Sequence, residues 1–330
     1  MFVSHLDKNL IAGTTQKAPT RNGFGEGLLE AGKRDDRVVA LSADLTESTR
    51  VLPFAEAYPK RFVQVGITEQ NMASVAAGMA MMGKVPFIAS YAMFSPGRNW
   101  EQIRTTVAYN DSNVKIIGAH AGISVGPDGA THQAIEDIAL MRVMPNMIVI
   151  VPCDVHEARK ATLWAAKHEG PVYIRVGRSD TPIMTTPESP FEIGKAQVLY
   201  DRNPSHEKSI GIVSTGALTY EALQAAVTLE ASGIGVTVLH MATIKPFDGE
   251  AVHWLASHHD LIMTVEEHQK IGGLGGAVAE YLGETLPKQV IRIGINDEFG
   301  QSGEPDELLA HYSINAAAIV AEGRRAHGLE

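Results

Sequence analysis

The chain has 330 residues, of which 45% are hydrophobic and 20% charged, with a formal net charge of -10. At roughly 150 residues per domain this length accommodates about two domains, each large enough for its own core. The acidic balance and the lack of any basic run argue against a nucleic-acid surface, and no stretch approaches the ~20 apolar residues of a membrane span.

The amino-terminal segment MFVSHLDKNLIAG has no basic stretch followed by a long apolar core, so no signal peptide is expected. From there short apolar runs alternate with helical patterns. The runs predict strands over Val38–Leu41, Phe62–Val65, Val85–Ala89, Val114–Ile117, Met147–Val151 and Val172–Val176. Helices are expected over Gly25–Ala31, Glu69–Met82, Asn99–Ala108, Ala134–Met141 and His156–Lys167. Alternation at this spacing means a parallel sheet covered on both faces, and the unbroken apolar character of the strands agrees. The single cysteine, Cys153, ends one of these runs and reads as a buried small side chain. With one cysteine no internal disulfide is possible, so a reducing, cytoplasmic setting is expected.

The rhythm breaks over Asp180–Asn203, where DTPIMTTPESPFE holds three prolines, and a linker is expected there. It then resumes with strands at Ser209–Ser214, Gly235–Leu239, Leu261–Thr264 and Val290–Ile293, helices at Tyr220–Ala231 and Gly276–Leu282, and two final helices near Asp306–Tyr312 and Ala316–Ala321. The expected division is a larger α/β domain over residues 1–190 and a smaller one over 191–330.

Several motifs invite a functional reading. Glycines 23, 25 and 27 in RNGFGEG lack the dinucleotide spacing, and so do Gly272, Gly273, Gly275 and Gly276, which read as close packing at a helix start. No phosphate loop and no metal-ligand spacing is present. In GITEQN, Glu69 opens a helix after a strand. It either complements the helix dipole, with Thr68 as a cap, or presents a carboxyl group at the carboxyl edge of the sheet, where α/β ligand sites lie. The segment from His120 to Gln133 is a long glycine-rich loop carrying His120, Asp128 and His132, the kind of element that holds sites on a rigid scaffold. Arg178 leaves the strand Val172–Val176, with Arg175 on the opposite face; solvation is the plain reading for either arginine.

SADLTES, GITEQNMASVAAGMA, SYAMF, GPDGATHQAIEDIALMR, MPNM and IRVGRSDTP occur in this order, followed by GIVSTGALTYEAL, TVEEHQKIGGLGGAV and FGQSGEPDELL. The first group resembles the pyrimidine-binding domain of transketolases and the second their C-terminal domain, over almost the whole chain from about Pro19. The chain looks most like the separately encoded C-terminal subunit of a split transketolase. The resemblance implies a parallel-sheet, thiamine diphosphate-binding α/β domain followed by a smaller α/β domain. It implies that Glu69 hydrogen-bonds the aminopyrimidine ring of the cofactor, that Tyr91 and Phe94 line that ring, and that Asp44 lies near the cofactor and the subunit interface. It further implies that Arg21, Ser48, His120 and Arg178 bind the sugar phosphate, that Asp128 reads a sugar hydroxyl, and that His132 serves proton transfer at the reacting carbonyl. After Phe94 the chain reads Ser-Pro-Gly-Arg, where many transketolases have another aromatic residue and a longer turn, so the lining beyond Phe94 stays open.

The family holds the diphosphate and Mg²⁺ (or Ca²⁺) with a GDG motif and a downstream asparagine. Here DG occurs only in GPDGA and FDGEA. The resemblance therefore implies a separate N-terminal subunit that anchors diphosphate and metal, in an α2β2 heterotetramer. The implied reaction is transfer of a two-carbon ketol unit between sugar phosphates, as in the pentose phosphate pathway. Alternatives are the C-terminal portion of a deoxyxylulose phosphate synthase, against which Arg21 and His120 speak, the β subunit of a 2-oxo acid dehydrogenase, and a non-catalytic assembly subunit.

Overall fold

The computed structural model describes residues 1–329. Apolar runs such as Val38–Ser42 and Lys115–Ala119 form strands buried along their whole length. Such strands need no polar alternation because both sheet faces are covered. The first sheet has seven strands, in the order Thr243–Lys245, Ile148–Ile150, Val172–Arg175, Lys115–Ala119, Val85–Tyr91, Val38–Ser42, Phe62–Gln64. Six run parallel. The edge strand Thr243–Lys245 is antiparallel to its neighbour and comes from the second half of the chain. The second sheet orders Val290–Ile295, Leu261–Gln269, Lys208–Ser214, Ile234–His240 and Gln197–Tyr200, with only the last antiparallel.

The helix expected over Gly25–Ala31 extends over Thr20–Arg34 and follows the short strand Lys17–Pro19, which pairs with Asp180–Pro182. A three-residue strand has no periodicity to read, so the segment taken as a linker carries this strand and Gln197–Tyr200. Gly23 and Gly27 of RNGFGEG serve packing against the helix Val155–Ala165, where a Cβ at Gly27 would stand 2.8 Å from Thr162 Cβ, and Gly25 packs on Arg50. The expected helix over Asn99–Ala108 is one α-turn, Trp100–Gln102, continued as a π-helix over Ile103–Ala108. That widening adds a residue to each hydrogen-bonded turn, which a 3.6-residue pattern cannot register.

The two sheets share one apolar core. Leu41, Ile88 and Ile116 of the first cluster with Val213, Leu239 and Leu255 of the second unit, all buried. Each such side chain contributes about 1.5–3 kcal/mol by leaving water, so the boundary is packed rather than hinged. The first residues also belong to this arrangement: Leu6 and Leu10 pack with Leu199 and Ile210, and the Phe2 ring meets Tyr200 at 5.1 Å. A polar tie crosses the boundary as well. Glu157 accepts hydrogen bonds from the Cys153 backbone N–H at 2.7 Å and from His240 Nε2 at 2.9 Å, while His240 Nδ1 faces the Thr219 hydroxyl at 3.0 Å. Cys153, Glu157 and His240 bring three potential metal donors within 4.8 Å, but their polar atoms already satisfy one another. Burial, and then the adjacent Glu157, push the Cys153 thiol well up, in line with an inert buried side chain. No described helix is long and apolar enough to cross a membrane.

Candidate active site

The carboxyl ends of five neighbouring parallel strands put the expected site residues on one edge of the first sheet. Asp44 follows Val38–Ser42, Glu69 follows Phe62–Gln64, Tyr91 ends Val85–Tyr91, His120 follows Lys115–Ala119, and Arg178 follows Val172–Arg175. Arg21 arrives from the first turn of its helix, which docks on the last strand's exit through a hydrogen bond from Gly177 N–H to the Thr20 hydroxyl, 2.7 Å. Sheet edges of this kind gather groups that are remote in sequence.

Glu69 opens the helix Glu69–Met81, yet its side chain is only 1% exposed and does more than complement a dipole. One carboxylate oxygen accepts from the Ser90 hydroxyl at 3.3 Å and the other from Arg98 Nη1 at 2.8 Å. Asn99 Nδ2 donates to the Glu69 carbonyl at 3.1 Å, binding the turn after Phe94 to the start of this helix. Thr68 does not cap; its hydroxyl donates to the Val65 carbonyl at 2.7 Å. Of its two side-chain partners Ser90 is fully buried and Arg98 is half-exposed, so the guanidinium lies on the solvent side of the carboxylate.

The Arg98 guanidinium also lies over the Phe94 ring, 4.8 Å from its centroid. From Phe94 an aromatic array continues: Tyr91 is stacked at 6.0 Å, His132 stands edge-on at 5.5 Å, and His120 stacks on Tyr91 at 3.8 Å. Arg98 comes from the turn whose lining the sequence left open. The signal was available only as a charged residue four positions beyond an aromatic one.

His120 links this array to a positive cluster. It is buried, at φ 54, in a backbone region that non-glycine residues seldom occupy. Its Nε2 lies 3.1 Å from Arg21 Nη1, which also donates to the Ser48 carbonyl at 2.8 Å. A guanidinium only donates, so Nε2 must accept and the proton sits on Nδ1, which has no partner among the described residues. Burial, then the charges of Arg21 and Arg178, push the His120 pKa down to about 3, leaving a neutral ring with one free donor at ordinary pH. Arg21 is itself lowered by burial and by Arg50 and Arg178. Three crowded guanidinium groups and a free imidazole N–H, within a chain of net charge -10, form a local site for an anion.

Arg178 of this cluster is also anchored to the backbone of the glycine-rich loop, while Asp128 and Asp44 stand apart from it. Arg178 donates to the Val125 carbonyl at 2.7 Å, Asp128 is exposed at the tip of its loop, and Asp44, at φ 62, is held through its N–H by Gln64 Oε1 at 2.8 Å. Arg175 departs from the solvated reading. It is 7% exposed, its Nε donates to Asp137 at 2.9 Å, and Asp137 also receives the Tyr173 hydroxyl at 2.6 Å.

Comparison with known proteins agrees with this architecture. Residues 16–184 match the transketolase pyrimidine-binding domain and residues 199–319 the transketolase C-terminal domain. The chain is 47% identical, over 91% of its length and 93% of the relative's, to a putative transketolase C-terminal section of Methanocaldococcus jannaschii. It is 40% identical, over 93% of both chains, to a 6-deoxy-6-sulfo-D-fructose transketolase subunit of Clostridium sp. (strain MSTE9). A solved structure described as a split gene transketolase, inactive beta4 tetramer, superposes with a TM-score of 0.86 at 45% identity, covering 94% of this chain and 99% of that one. The chain belongs to the transketolase family, whose members use thiamine diphosphate, and it corresponds to the C-terminal half of those enzymes.

Proposed function

We propose that the chain is the C-terminal subunit of a split, cytoplasmic transketolase that moves a two-carbon ketol unit from a ketose phosphate to an aldose phosphate. The observation that carries this reading is the Glu69 carboxylate, buried at the carboxyl edge of the sheet and bonded to a planar cation lying on Phe94. A planar, hydrogen-bonding heterocycle needs that same pair, a carboxyl at its rim and an aromatic ring at its face. The donor set thus fits an aminopyrimidine. It does not fit a diphosphate–metal group, because the one cluster of three metal donors among the described residues is the sealed Cys153–Glu157–His240 set. Diphosphate and Mg²⁺ or Ca²⁺ are accordingly assigned to an N-terminal partner subunit, in an α2β2 assembly.

Bound thiamine diphosphate supplies the carbon nucleophile of such a transfer. Glu69 would hold a proton at the aminopyrimidine nitrogen and set the ring's orientation, Tyr91 and Phe94 would line the ring, and Asp44 would lie near it and the subunit interface. Arg21, Ser48, His120 and Arg178 bind the sugar phosphate, with the free Nδ1–H of His120 as a ready donor. Asp128 takes a sugar hydroxyl, and His132 moves a proton at the reacting carbonyl. A positioned acid–base group is worth about 10²–10⁴-fold in rate. Glu69→Ala in the assembled enzyme should therefore lower kcat by about 10²-fold or more. Mixing this chain with a GDG-bearing partner, cofactor, metal and a ketose phosphate tests the reading. Ketol transfer by this chain alone, or transfer that survives Glu69→Ala, refutes it.

A further inference from the structure

The loop that bears His120, Asp128 and His132 has few bonds of its own, among them Gly129 N–H to the Gly126 carbonyl at 3.1 Å and Gln133 to the Ile123 carbonyl, and it is rich in glycine. Gly122, Gly126 and Gly129 all have positive φ, at 89°, 81° and 73°. Such residues give up the most conformational freedom on ordering. Its own unit holds it through Arg178 on the Val125 carbonyl and Ser179 on the Ser124 carbonyl, and the second unit adds a constraint at both ends. At the first end the buried Glu267 carboxylate accepts the Ser124 backbone N–H at 2.6 Å. It also fills the space where Gly122 would carry a side chain: a Cβ there would overlap the carboxylate. At the far end Gln133 Nε2 reaches the Ile123 carbonyl at 3.0 Å and the Gln301 carbonyl of the second unit at 2.9 Å. A Cβ at Gly129 would stand 2.6 Å from Ser302 Oγ, so the loop tip rests on the same segment. Arg175 ties the two sides together by donating to the carbonyls of Ala134, 3.3 Å, and Glu267, 2.8 Å.

A carboxylate withdrawn from water is costly unless its hydrogen bonds are made, and the hydrogen bond made to the Glu267 carboxylate comes from the loop backbone rather than from a neighbour of its own unit. We propose that the second unit acts as a clamp on the substrate loop, with Glu267 as the positioning residue that fixes His120 and Asp128 for the donor sugar. This rests on the reading given under the proposed function, and it gives the smaller domain a part in the reaction. Displacement of a reacting group by about 1 Å can cost about 10²-fold, so the clamp acts on donor use. Cofactor binding, which depends on Glu69, Tyr91 and Phe94, is left alone.

The test compares Glu267→Ala, Glu267→Gln and wild type in the two-subunit enzyme. Donor KM and kcat, cofactor affinity, and amide hydrogen exchange across residues 121–134 are measured. Loss of one charge-assisted hydrogen bond should lower kcat/KM by about ten-fold, mostly through donor KM, with faster exchange confined to the loop. Glu267→Gln keeps an acceptor oxygen for Ser124 and should recover most of the loss. If Glu267→Ala does not fold, Gly300→Ala applies the same test from the far side, since a Cβ there overlaps the Gln133 side chain. Unchanged loop exchange in a folded variant overturns the clamp, and so does faster exchange with donor kinetics intact, whether or not cofactor affinity changes. Absence of ketol transfer by the wild-type assembly sinks the functional reading instead. The exchange comparison then still decides whether Glu267 orders the loop, and an unchanged loop overturns that contact on its own.

Discussion

Arg98 offers the sharpest quantitative expectation. Its guanidinium pairs with Glu69 at 2.8 Å and covers Phe94, which on the proposed function is the place an aminopyrimidine would take. Breaking a fully buried ion pair costs about 3–5 kcal/mol, whereas an exposed pair is worth about 0–1 kcal/mol. Here Glu69 is 1% exposed and the Arg98 side chain 46%, so an intermediate of about 1–2 kcal/mol is appropriate after allowing for solvent screening at the arginine. Arg98→Met should therefore destabilise the isolated chain by that amount, lowering Tm by about 2–4 °C. The same energy no longer opposes the cofactor, because no cation has to be displaced from the carboxylate. Thiamine diphosphate should bind the assembled Arg98→Met enzyme about ten-fold more tightly, since about 1.4 kcal/mol is a factor of ten. Scanning calorimetry on the free chain and cofactor titration of the assembly read the two effects. Weaker cofactor binding in Arg98→Met would refute the reasoning, because it would make the arginine a partner of the ring and not its stand-in.

Two further substitutions bear on the scaffold. Lys115 is fully buried, donates to the carbonyls of His168 and Gly170 at 2.7 and 2.6 Å, and burial lowers its pKa from 10.5 to about 7. Between those values the unfolded chain binds the proton more tightly than the folded one. Stability should thus rise as pH climbs from about 7 towards 10.5 and be lost again as pH falls through that window. Lys115→Met should flatten this part of a denaturation-midpoint profile, and an unaltered slope would exclude the lysine as its source. Arg175→Met leaves Asp137 buried without its cation and should cost about 3–5 kcal/mol by urea denaturation. A loss below about 1 kcal/mol would mean that the Tyr173 hydroxyl alone compensates the carboxylate.

Much of the architecture was legible in the chain. Apolar runs such as Val85–Ala89 and Leu261–Thr264 announce doubly covered parallel strands because burial on both faces removes polar alternation, though the second strand extends through polar residues to Gln269. Short or edge elements such as Lys17–Pro19 and Thr243–Lys245 carried no such signal, since their pairing partners are distant in sequence. The π-helical turn after Trp100 escaped for the reason that its hydrogen bonds skip one residue more than the pattern assumes.

The site divides in the same way. Residue types alone singled out Glu69 after a strand and the glycine-rich loop with His120, Asp128 and His132, while Arg21, Asp44, Ser48, Tyr91 and Phe94 became candidates only through the resemblance of their motifs to transketolases. Only the tertiary structure decided what each faces. It put Arg98 rather than solvent against Glu69, set Nε2 of His120 on Arg21, and brought Glu267 and Gln301 from the second unit under the loop. Those outcomes depend on where strand ends converge and on which buried charges find partners. Both are fixed by packing across more than a hundred residues of separation, as between Ser124 and Glu267, and no local pattern encodes them.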